Sequence, residues 1–98
     1  MLYLEDIKDE AMANDAVGDC EIAAIEASEA ISNKRNRIIR AERDIKMLMK
    51  LCLLRKWVGP QKALSDMLDR LGEARAELQV NFWRSYFLSC NGGIHLSP

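Results

Sequence analysis

Residues 31–37 read ISNKRNR, and the first half of the chain is one helix or two according to how they are taken. They form the one internal polar stretch that could serve as a loop. On both sides small or apolar residues recur in one heptad register. One set is Val17, Ala24, Ile31, Ile38, Ile45 and Cys52; the other is Cys20, Ala27, Lys34, Ala41, Leu48 and Arg55. Ten of these twelve positions suit a helical seam, Lys34 and Arg55 being the exceptions. An arbitrary loop would usually shift the phase. The unbroken register therefore predicts one long helix over about 15–58, with a break at Ser32–Asn36 as the alternative.

Working outward, NDAVGD (14–19) weakens the helix upstream: Asn14 or Asp15 can cap a new start, and Gly18 costs about 1 kcal/mol relative to alanine. A short separate helix is expected over 2–13. Downstream, KWVGPQKAL (56–64) cannot continue a helix. Gly59 suits the left-handed position after a helix end, and Pro60 suits the first turn of the next. A third helix then runs over 60–90, with Leu64, Leu68, Leu71, Leu78 and Phe82 on one face. Asn91-Gly92-Gly93 ends it, leaving 91–98 as a flexible tail. The expected fold is all-α: an antiparallel helical hairpin, cornered at Gly59-Pro60, of a long charge-segregated helix and the third helix, with the short N-terminal helix added.

Composition agrees with this class. Ninety-eight residues make one domain, and 49% apolar residues supply a core. Helix formers such as Ala, Leu, Glu, Lys, Arg and Met outnumber β-branched and aromatic residues. Cys20, Cys52 and Cys90 are odd in number with no Cys-x-x-Cys pair, and the one histidine, His95, lies in the Gly-rich tail. Neither a disulfide framework nor a metal site is expected. The acidic start MLYLEDIKDE does not read as a signal peptide, and no apolar run is long enough to span a bilayer. A cytoplasmic protein with reduced thiols and no membrane partner is the expectation.

The net charge of −1 conceals a strong separation. Residues 1–31 hold nine acids against Lys8; residues 32–62 hold ten bases against Glu42 and Asp44. In the antiparallel hairpin, Asp66, Asp69, Glu73 and Glu77 come level with the bases from Arg40 to Lys50 and answer part of their charge. Lys34, Arg35, Arg37, Arg40 and Arg43 could track phosphates on nucleic acid. The competing reading, which we favour, is a solvated face partly neutralised by the third helix and the acidic segment. NKRNRIIRAERD (33–44) resembles a bZIP basic region, but no leucine heptad follows it. The acidic arm could imitate a phosphate strand, dock on a basic groove, or simply pair with the basic helix.

Two apolar stripes exceed what a two-helix core absorbs. Met47, Leu51, Leu54 and Val58 lie away from the main seam of the long helix. Val80, Trp83 and Phe87, with Tyr86 between the faces, are rotated from the seam of the third. Exposed stripes of this kind mark association, unless residues 2–13 or a homodimer mate cover them. Catalytic furniture is lacking: no Ser-His-Asp set, no phosphate-binding glycine loop and no metal spacing, so neither an enzyme nor a cofactor is expected. Gly59-Pro60 on an exposed corner is the kind of bond a prolyl isomerase grips.

In size, helical texture, charge segregation and absence of catalytic motifs, the chain resembles small phage-encoded host-takeover proteins, among them the anti-RecBCD modulators. That resemblance implies a non-enzymatic protein of the host bacterial cytoplasm that binds a recombination nuclease and helicase complex and inhibits or modulates it by occupation. It also implies a prolyl isomerase partner for Gly59 and Pro60. The alternatives from other classes are a nucleic-acid-binding helical dimer using the 34–50 helix and a self-assembling coiled-coil structural protein.

Overall fold

The structure, a computed structural model, describes residues 3–90, and side chains over 3–86. The expected tail at 91–98 with His95, and the side chains of Phe87 and Cys90, lie outside the described residues. The architecture is all-α. A 3₁₀ turn (Leu4–Asp6) precedes helices α1 (Glu10–Glu29), α2 (Lys34–Arg55) and α3 (Val58–Cys90), and no strand occurs among the described residues.

The long helix expected over 15–58 is two helices, and the alternative break near Ser32–Asn36 is where they part. Ala30 leaves the helix in an extended conformation, and Asn33 takes the left-handed φ of 55° that asparagine tolerates. Ile31, placed on the seam by its register, stands in the connection fully exposed. The phase survives through the length of the connection, not through a continuous helix. From Ala27 to Ile38 is eleven positions, within about 20° of three full turns at 3.6 residues per turn. Both helices bury the same kind of stripe against one core, so the repeat runs on although the axis reverses.

The separate helix expected at 2–13 is also replaced. The α1 helix starts at Glu10, and the Asp9 carboxylate caps it by accepting the Met12 N–H at 2.8 Å. It continues through NDAVGD because Ala13, Ala16, Cys20, Ala24 and Ala27 form one buried stripe. That packing outweighs the local penalty of Gly18. Small side chains let α1 approach the other helices closely, while the bulk of the core comes from Ile38, Ile45 and Leu48 of α2 and Leu64 and Leu71 of α3.

Cross-helix contacts set the directions. Glu10 meets Gly59 and Glu21 meets Arg70, so α1 and α3 run parallel; Glu42 meets Arg75, so α2 and α3 run antiparallel, as the hairpin predicted. Between α2 and α3 the corner is only Lys56-Trp57. Lys56 adopts the left-handed φ of 60°, and the Trp57 N–H reaches back to the Cys52 carbonyl at 2.9 Å. Gly59, expected in that left-handed role, is already inside α3.

Lengths then decide the shape. The 33 residues of α3 span about 50 Å, whereas the 22 of α2 span about 33 Å. The molecule measures 59 × 22 × 16 Å, and its radius of gyration of 17.6 Å exceeds the ~13 Å of a compact chain of this size. The end of α3 runs on past the bundle.

Candidate docking surfaces

The projecting end of α3 carries the aromatic group. Val80 is 54% exposed, Trp83 47% and Tyr86 49%. The Trp83 ring meets Phe82 edge-on at 5.6 Å and Tyr86 at 5.8 Å. Helical spacing puts Phe82 on the core seam; the structure leaves it 62% exposed. Its face does continue the Leu64–Leu71 stripe, but only the first turn of α2, at Arg35, reaches its level. An open groove of about 950 Å³ sits where α3 leaves the bundle, lined by Leu78, Phe82 and Trp83 with Arg35 and Arg75. Guanidinium groups beside an aromatic floor suit a partner that is apolar with acidic edges.

The second stripe does not join the first. Met47 and Leu54 are exposed, Leu51 is half-buried against the core, and Val58 opens α3 exposed. Val58 and Trp83 are 25 residues apart on one helix, about 37 Å. The corner end of the one stripe and the aromatic group of the other, expected to anchor a partner together, therefore lie far apart along the rod.

The corner is built for packing. Pro60 is among the fully buried side chains, so although Gly59 is exposed the proline ring is not presented for an isomerase to grip. The Gly59 N–H donates to Glu10 Oε2 at 3.1 Å, and a Cβ at Gly59 would lie 3.0 Å from that oxygen. Glycine is there so that a carboxylate from α1 can cap the N-terminus of α3. Trp57 packs on the core beneath the Arg55 guanidinium at 5.8 Å, and Gln61 Nε2 donates to the Trp57 carbonyl at 3.0 Å.

Charge is arranged differently from the expectation. Among the described residues Asp69, Glu73 and Glu77 make no ion pair, and Asp66 pairs only with Lys62 on its own helix, at 3.8 Å. The cross-helix pairs run the other way, from bases of α3 to acids of its neighbours: Arg70 to Glu21 at 3.9 Å and Arg75 to Glu42 at 3.3 Å. Glu42 is the one buried charged residue among those described. Arg35, Arg37, Arg40 and Arg43 are exposed, Lys34 is half-buried, and none pairs with an acid among the described residues. The acidic arm is no loose arm; it is α1, the third helix of the bundle.

Chemistry is muted. Burial, aided by Asp44 and Asp19, pushes the Cys20 thiol up to about 11, and burial with Glu10 nearby raises that of Cys52. Both thiols stay protonated near neutral pH, the unreactive form. Among the described residues no group of three or more His, Cys, Asp or Glu could hold a metal ion, and no helix is long and apolar enough to cross a membrane.

No family model, no curated protein and no solved structure matches this chain.

Proposed function

We propose that the protein is a non-enzymatic helical interaction protein that engages a larger partner with the projecting end of α3 and modulates it by occupation. One observation supports the reading above the rest: Val80, Phe82, Trp83 and Tyr86 are about half-exposed or more on a helix that outruns its own bundle. Aromatic anchors carry most of the energy of such contacts, and the flanking Arg35 and Arg75 would set orientation and on-rate. The partner class, a host nucleic-acid-processing enzyme such as a recombination nuclease and helicase, rests on the resemblance in size and texture alone. A tagged chain should recover that enzyme from bacterial lysate, and Trp83→Ala should abolish most of the recovery while leaving helicity unchanged. Equal recovery by both chains would refute the assignment of the α3 end.

A second reading has its own observation, the exposed guanidinium groups of Arg35, Arg37, Arg40 and Arg43 on α2. A helix of this kind would shift an oligonucleotide at low salt, where phosphate contacts are strongest. Absence of any shift there would eliminate it.

A further inference from the structure

Helix by helix, the charge is sharply divided. The α1 helix holds six acids and no base, α2 holds eight bases and two acids, and α3 holds four of each. Although α1 and α2 pack side by side, no ion pair joins them among the described residues. Their opposite charges are turned outward instead of toward one another. On helical spacing, the side of the bundle away from α3 presents Asp15, Asp19 and Glu26 from α1 beside Arg40 and Arg43 from α2, all exposed. Each strip also has an apolar element: Ile22, 58% exposed, on α1, and Met47 and Leu54 on α2.

From this we infer that a second copy of the chain covers this face, with the acidic α1 of each copy lying antiparallel on the basic α2 of the other. A two-fold axis along the helices produces both contacts at once, so the surface is complementary to itself. Strips of opposite charge beside exposed apolar side chains suit a specific contact, the charges choosing partner and register. The face is about 30 Å by 20 Å, or about 600 Å² per copy, close to the roughly 800 Å² a side of a standard interface. Gly18 lies on the outer side of α1, where a Cβ would meet nothing in its own chain. Internal packing gives no reason for glycine there, whereas close approach of another helix does. This contact is separate from the projecting end of α3.

The test is a charge swap read by sedimentation, with circular dichroism checking that each chain is folded. The wild-type chain is expected to be a dimer at low salt and to dissociate as salt rises. Asp15→Lys, Asp19→Lys and Glu26→Lys together should give a monomer, and so should Arg40→Glu with Arg43→Glu. Mixing the two variants should restore a dimer, because each then offers the charge that the other lacks. Trp83→Ala should leave the wild-type dimer intact, which separates this proposal from the one for α3. A wild-type monomer at low salt, a dimer that survives either set of reversals, or folded variants that stay monomeric when mixed would overturn it.

Discussion

The two halves of α3 obey the same local rules and end in opposite places. Between Val58 and Arg75, Pro60, Leu64, Met67 and Leu71 are buried against α1 and α2. Beyond Arg75 the apolar residues are larger, including Phe82, Trp83 and Tyr86, yet no described side chain is buried. Neither hydrophobicity nor helix propensity separates the halves. Length does: α1 and α2 end, and α3 continues. In the first half the apolar residues are buried by folding, and in the second they stay exposed.

Truncations break this comparison most strongly. Leu64→Ala should destabilise the chain by about 2–5 kcal/mol in a denaturant titration, because it empties a fully enclosed site. Phe82→Ala, which removes a larger side chain, should change stability by no more than about 0.5 kcal/mol. Equal losses would mean that the second half is packed after all. Arg75 marks the boundary, since it ties α3 to the buried Glu42. Arg75→Ala should cost about 1–2 kcal/mol by stranding that carboxylate, against almost nothing for Arg84→Ala farther along. Smallest is the effect at the corner that starts the packed half. Lys56→Gly should raise stability by about 0.5–1 kcal/mol, since glycine holds the left-handed conformation without a Cβ penalty.

Much of this was legible before any coordinates. The helical class followed from composition, and Ile38, Ala41, Ile45, Leu48, Cys52, Leu64 and Leu71 followed from periodicity; all are buried. Periodicity reports which face of a segment is apolar and says nothing of whether its axis is continuous. The reversal at Asn33 was therefore hidden inside an unbroken register. Gly59 departs from its local pattern for a different reason. Its need for a missing Cβ arises from Glu10, 49 residues away, and no local pattern carries that. Phe82 continues a true seam, and its exposure depends on where two other helices stop. The exposed bases of α2 were plain in the sequence, but their failure to pair with the acids of α3 was not. On α3 those acids sit away from the buried stripe, whereas Arg70 and Arg75 flank it.

Amide hydrogen exchange along α3, resolved by peptide, tests the central claim most directly. Amides over 61–73 should exchange slowly, near the rate of global unfolding, and those over 80–90 should exchange orders of magnitude faster, because a lone helix of so few turns is marginal in water. Uniform slow exchange from Gln61 to Cys90 in the isolated chain would contradict the account.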